Sequence, residues 1–187
     1  YEALAQRITD PAEMPDFGGG EFTEQAARSG ATVVGARDFL VAVNFNLNST
    51  STRRANAIAF DVREKGRPRR EGNPITGKID AEGNPVMIPG TLKGCKAIGW
   101  YIEEYGIAQV SMNITDIRAT PLHVAFEEVC RAADRRGLRV TGTEIVGLVP
   151  RSCLLDAGKY FLRKQCRSLG ISDDEIIKIA VKSLGLE

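Results

Sequence analysis

The chain has 187 residues, of which 43% are hydrophobic and 26% charged, with a formal net charge of +1. That is an ordinary globular mixture, long enough for one domain or for one domain and a piece of another. So small a net charge gives no global attraction to nucleic acid or to an anionic membrane, and no apolar stretch approaches the roughly 18 residues needed to span a bilayer.

Tyr1 opens directly into a helical pattern over residues 1–8, as expected for the end of a helix in a chain cut from something longer. Residues 10–20 are rich in Pro, Asp and Gly and read as a loop. Gly18, Gly19 and Gly20 lack the Gly-Lys-Ser/Thr of a phosphate loop and read as a turn. An apolar run at 31–34, between Gly30 and Gly35, suggests a short strand. Alternation then becomes clear: Phe39, Val41, Val43, Phe45 and Leu47 share one face of a strand, and Asn44, Asn46 and Asn48 share the other.

Residues 49–52 offer several N-cap candidates for a helix running to Lys65. It carries Ala55, Ile58, Ala59 and Val62 at helical spacing, with Gly66 as its C-terminal glycine. Residues 67–90 form a polar excursion from the core, with a possible small hairpin of 75–79 and 86–88 around 82–85. Residues 95–102 and 107–114 read as two strands joined by four residues. Thr120 and Pro121 supply an N-cap and a first helical position for a helix bearing Leu122, Ala125, Phe126, Val129 and Ala133, which Gly137 ends. A β-branched strand covers 138–149 and Pro150 stops it. Two helices close the chain, the second opening on a capping box from Ser172 to Glu175.

The order over residues 39–149 is therefore β-α-β-β-α-β. That is an α+β, ferredoxin-like arrangement with both helices on one face of a four-stranded sheet. The strands are expected near 39–48, 94–102, 107–115 and 138–149, and the helices near 52–65 and 121–136. The open face collects Gln109, Ser111, Asn113 and Thr115 with Asn44 and Asn46. Amides donate and accept at once, which suits a ligand of mixed polarity; the same surface also suits burial against a neighbouring subdomain.

Glu144 stands in an apolar strand, where a carboxylate is costly unless it is paired or faces a ligand. Trp100 could stack on an aromatic ligand or fill a half-buried core position. His123 titrates in the range of a general base, but no nucleophile accompanies it in sequence, and it reads as structural. Cys95, Cys130, Cys153 and Cys166 form no Cys-x-x-Cys pair, so no metal site is expected. Their scatter through apolar surroundings reads as reduced, buried thiols of a cytoplasmic protein.

Five segments, in order, resemble the glutamate formiminotransferase family, whose domain also occurs in formiminotransferase-cyclodeaminase. The first, GATVVGARDFLVAVN from Gly30 to Asn44, is similar to that family's folate-binding segment. The others are LKGCKAIGWYIEE from Leu92, AQVSMNITD from Ala108, TPLHVAFEE from Thr120 and EIVGLVP from Glu144. The resemblance implies transfer of a formimino group from N-formiminoglutamate to tetrahydrofolate in histidine degradation, with tetrahydrofolate as co-substrate. It implies two subdomains, residues 1–38 being the tail of the first and 39–187 the second. Folate would meet Gly30, Ala31, Thr32, Val33, Val34, Gly35, Ala36, Arg37, Asp38 and Phe39. Asn44, Asn46, Asn113 and Glu144 are the candidate substrate-binding residues. The family's catalytic histidine belongs to a motif in the first subdomain, which His123 does not match, so no catalytic residue is expected here. A homo-oligomer is expected, with no nucleic-acid or membrane partner. The rival readings are an RNA-recognition module, which lacks its aromatic and basic box here, and a small-molecule regulatory module of the same fold.

Overall fold

The computed structural model describes residues 10–18, 23–30, 32–72 and 76–186. The chain divides into two units, Tyr1–Arg37 and Asp38–Glu187. In the first, a 3-10 turn at Pro11–Glu13 is capped by the Asp10 carboxylate, which accepts from the Ala12 N–H at 2.9 Å. Helix α1, Glu24–Ser29, carries an Arg28–Glu24 ion pair at 2.6 Å. The helical pattern at 1–8, the glycines at 19 and 20, and Ala31 lie outside the described residues.

The strand expected at 31–34 does not form: residues 32–40 lie in no helix or strand, and Val34 is 90% exposed. An apolar run becomes a strand only where a neighbouring ladder accepts its backbone groups. Thr32 to Phe39 make no hydrogen bond among the described residues.

The second unit is built on β1, Val41–Leu47. Its alternation sends Val41, Val43, Phe45 and Leu47 into the core and turns Ala42, Asn44 and Asn46 the other way. Phe39, expected to begin this strand, precedes it and is exposed. Helix α2, Thr52–Val62, begins where the Ser51 side chain accepts from the Arg54 N–H, and buries Ala55, Ile58, Ala59 and Val62. It ends at Val62, not Lys65; Gly66, at φ 65°, closes the turn that follows instead.

The excursion is an antiparallel ribbon. β2 (Arg67–Pro68) pairs with β5 (Met87–Ile88), and β3 (Arg70–Glu71) with β4 (Thr76–Gly77). A bridge from Ile79 to Pro85 carries a tip where the Asp80 side chain accepts from the Glu82 and Asn84 N–H groups. The hairpin expected from 75–79 and 86–88 therefore holds only at its tip: Met87 and Ile88 pair with 67–68 and Thr76 and Gly77 with 70–71 instead, and Ile75 lies outside the described residues. Arg67 pairs with Asp61 of α2, as does Arg136.

β6 (Cys95–Ile102) and β7 (Ile107–Ile114) form the expected hairpin. Helix α3, Leu122–Asp134, starts one residue later than Thr120 and Pro121 suggested: Pro121 is the N-cap and no side chain caps it. The Thr120 hydroxyl donates instead to the Lys93 carbonyl at 2.6 Å, tying the helix entry to the loop before β6. Then come β8 (Val140–Val146), α4 (Arg151–Lys164) and α5 (Asp173–Leu184), the last opened by the Ser172–Glu175 capping box.

The four long strands form one antiparallel sheet in the order β6-β7-β1-β8. Helices α2 and α3 contribute to a single core with the inward residues of β1 and β7, so both cover the same face. Gly99 explains how closely α2 sits. A Cβ there would lie 2.7 Å from the Ala55 Cβ and nearer still to the backbone of Ala55 and Asn56. The Asn56 side chain takes up the free edge of β6 at that point, accepting from the Gly99 N–H (3.0 Å) and donating to its carbonyl (3.1 Å). An edge strand's unpaired groups are thereby satisfied within the unit.

Candidate functional site

The sheet face opposite the helices is left free by them, and register arranges its residues in three rows. Lys96, Asn113, Ala42 and Val146 stand side by side; next come Ile98, Ser111, Asn44 and Glu144; then Trp100, Gln109, Asn46 and Gly142. The two central strands supply the amides. The β6 edge supplies Ile98 and Trp100, both exposed, so the face is less uniformly polar than its central strands suggest. Trp100 is not a core residue: it is 41% exposed on this face, because Gly99, its neighbour, is the residue turned toward α2.

Asn44, Asn46 and Glu144 are brought together, and Gln109 joins them. The Gln109 amide nitrogen donates to Asn46 Oδ1 at 2.5 Å and to Glu144 Oε2 at 3.1 Å; Asn44 Nδ2 also donates to Glu144 Oε2, at 3.5 Å. Gln109 is 0% exposed and its carbonyl oxygen has no partner. Asn113 lies in the next row, exposed, and its side chain makes no hydrogen bond among the described residues. Gln109 was read from the alternation as one of the open-face amides, one row from Ser111, but not as a substrate-binding residue.

Beside the cluster, a groove of about 560 Å³ is lined by Asn46, Tyr105, Gly142, Glu144, Gly185 and Leu186, among others. It lies within the size range of small-molecule sites. Its far wall is fixed by the chain end: the Thr143 N–H donates to the Gly185 carbonyl at 2.7 Å, and Gly185 takes φ 66° to end α5. Of the segment expected to meet folate, Gly30 and residues 32–37 fall in the first unit, where the described residues are exposed; Asp38 and Phe39 open the second. Gly30 has φ 70°, the left-handed region glycine favours.

His123 lies elsewhere. Its ring stacks on Tyr160 of α4, centroids 4.4 Å apart, and its Nδ1 is buried without a partner. Burial lowers its pKa from the ordinary 6.5, against the opposing pull of Asp156 and Glu127. Lys164 neutralises part of that pull by binding Glu127 at 2.5 Å. A histidine whose folded pKa lies below its unfolded value favours the folded state when neutral. Its contribution is therefore full above the unfolded pKa and is lost as pH falls below it, toward and through the lowered folded value. Chemical denaturation of wild type and His123→Phe from about pH 8 to about pH 5 should show the wild type losing the more stability on acidification; parallel curves would exclude this role.

Among the described residues, no group of three His, Cys, Asp or Glu is placed to hold a metal ion, and no helix is long and apolar enough to cross a membrane. Burial pushes the Cys130 thiol up to about 11, and raises those of Cys95 and Cys153; Cys166, expected to be buried with them, is exposed in the turn after α4. Thiols so shifted are poor nucleophiles at neutral pH.

The pattern of the formiminotransferase domain matches residues 42–187. The chain belongs to the formiminotransferase domain family. All 187 residues are 41% identical to part of the formimidoyltransferase-cyclodeaminase of Gallus gallus, and 39% identical to part of that of Dictyostelium discoideum; the chain covers 30% of each. It is also 33% identical, over 163 residues, to the glutamate formimidoyltransferase of Thermoplasma acidophilum, 45% of which it covers. The chain thus spans less than half the length of each of these relatives. Within this formiminotransferase domain, the matched span contains the sheet from Ala42 onward, the amide cluster and the groove.

Proposed function

We infer that the chain forms one wall of the cleft in which a glutamate formimidoyltransferase moves a formimino group from N-formiminoglutamate to tetrahydrofolate, in histidine degradation. The observation that carries this is the union of Asn44, Asn46, Gln109 and Glu144 beside a groove, on a sheet face the helices leave open, within a span matching the family. The antiparallel order β6-β7-β1-β8 with α2 and α3 on one side supports a ferredoxin-like reading of this subdomain. Residues 1–38 would be the tail of a preceding subdomain, and the enzyme would work in the cytoplasm.

The chemistry asks for orientation first. A folate nitrogen attacks the formimino carbon, giving a tetrahedral carbon bonded to both nitrogens. The glutamate nitrogen then leaves, taking up a proton as the folate nitrogen loses one. Holding the two reactants in register is worth many orders of magnitude in effective concentration. An amide-lined wall does this without competing for the proton, since Asn and Gln do not titrate. Exposed Ile98 and Trp100 beside the amides suit a flat heteroaromatic ring. The proton shuttle would come from elsewhere in the enzyme.

The reading is tested by titrating tetrahydrofolate into the protein and into Arg37→Ala. Arg37 stands in an exposed segment whose backbone groups make no hydrogen bonds among the described residues, and its guanidinium can hold a folate carboxylate or ring oxygen. Loss of one charge-assisted contact should weaken binding about tenfold with an unchanged circular dichroism spectrum. Equal affinity of the two proteins removes Arg37 from the site, and absence of any folate binding overturns the reading.

A further inference from the structure

Glu144 is the one cluster member that carries a charge, and its charge has no counter-ion. Among the described residues it forms no salt bridge, although it is half-buried beside three amides. Both hydrogen bonds it accepts fall on Oε2. Among the described residues Oε1 has no partner, and it is not one of the buried unpaired atoms, so it stays reachable beside the groove that Glu144 lines.

The orientation of Gln109 follows from that charge. Its amide group turns nitrogen toward Glu144 and Asn46, leaving its own carbonyl buried and unpaired. The opposite orientation would set two acceptors against each other. A buried acceptor without a partner is costly, so the arrangement is one in which the carboxylate dictates how the amides lie. Asn44 and Gln109 therefore fix the Glu144 head group while leaving one oxygen, and a second lone pair on Asn46 Oδ1, for something that donates. A donor bearing positive charge complements this best.

Resting on the functional reading above, the geometry points to Glu144 as the residue that recognises the cationic amidine of the formimino substrate, with Asn46 as the second acceptor. An amidine is protonated at neutral pH and presents planar N–H donors, which a fixed carboxylate oxygen and an adjacent amide oxygen match. The neutral formyl analogue offers one amide N–H and no charge. Glu144 is on this account a specificity determinant: it selects formimino over formyl before any bond is made. Lys96, in the adjacent row of the same face, stands on β6 with two strands between it and Glu144, and makes no ion pair with it among the described residues.

The experiment is calorimetric titration of the protein with N-formiminoglutamate and, separately, with N-formylglutamate. Wild type should prefer the formimino compound by about tenfold, the lower end for a hydrogen bond to a charged group. Glu144→Gln, which keeps shape and removes charge, should erase the preference by weakening the formimino compound alone. Asn46→Asp keeps the acceptor for Gln109 and adds a second carboxylate; it should widen the preference several-fold and serves as the decisive variant if Glu144→Gln does not fold. A wild-type protein that binds the two compounds equally, or binds neither, overturns the proposal. So does a preference unmoved by a folded Glu144→Gln, or unmoved by Asn46→Asp. Tetrahydrofolate binding measured alongside separates the two readings. Folate binding without amidine preference removes the role of Glu144 and leaves the proposed function standing. Amidine preference without folate binding does the reverse.

Discussion

Assayed alone with N-formiminoglutamate and tetrahydrofolate, the 187-residue chain is expected to give no turnover above background. Its single imidazole is His123, which stacks on Tyr160 within the helix layer, while Glu144 and Gln109 lie on the opposite face of the sheet. A general acid–base group must come within hydrogen-bond reach of the proton it moves, and the sheet itself separates His123 from that position. Loss of such a group costs about a hundred- to ten-thousandfold. The groove is also open, so reactants within it would remain hydrated, and displacement of a reacting group by about 1 Å can add roughly another hundredfold. Co-expression with the part of the enzyme that the relatives carry beyond these residues should restore activity. Appreciable turnover by the chain alone, abolished by His123→Ala, would place the chemistry at His123 and refute the assignment.

What the sequence disclosed of this arrangement depended on whether a pattern was local. β1 was legible because its inward face is wholly apolar while Asn44 and Asn46 mark the outward one. The second closing helix was legible because its capping box lies within four consecutive residues. The phase of β6 was marked only by Lys96: Ile98 and Trp100 on its face and Ala97 and Cys95 on the other are all apolar, so period two carried little information there. That is why Trp100 was ambiguous, and only the contact of Gly99 with α2 resolves it. Glu144 stood out as a carboxylate in an apolar strand, yet its partner Gln109 did not. Their meeting requires β1 to lie between β7 and β8, a register set by strands far apart in the chain. The run at 31–34 shows the converse failure, since apolar character without a ladder partner leaves Val33 and Val34 exposed. The segment's role in binding folate came from resemblance alone, and no local physical pattern announces it.

Gly99→Ala is expected to destabilise the protein by about 3 kcal/mol. Replacing glycine by alanine in a strand ordinarily stabilises by up to about 1 kcal/mol, because the unfolded chain loses freedom. Here the added Cβ would meet the Ala55 Cβ at 2.7 Å, together with backbone atoms of Ala55 and Asn56, and backbone cannot swing aside as a side-chain tip can. Helix α2 must therefore lift from β6. Overpacking of this kind costs about 1–3 kcal/mol. Lifting α2 also breaks the paired contacts of the Asn56 side chain with the Gly99 N–H and carbonyl, at about 1 kcal/mol each. In thermal unfolding of a chain this size, the sum should appear as a fall in Tm of about 6–12 °C. Asn56→Ala serves as the partner variant: it removes the two hydrogen bonds without the clash and should cost about 2 kcal/mol. Because both substitutions act through the same contact, the double variant should lose less than the sum of the two. Additive losses, or a Gly99→Ala protein as stable as wild type, would show that α2 is not seated on β6 as described. The open face would then lose its rigid support, because the strand that presents Ile98 and Trp100 is held from behind at Gly99.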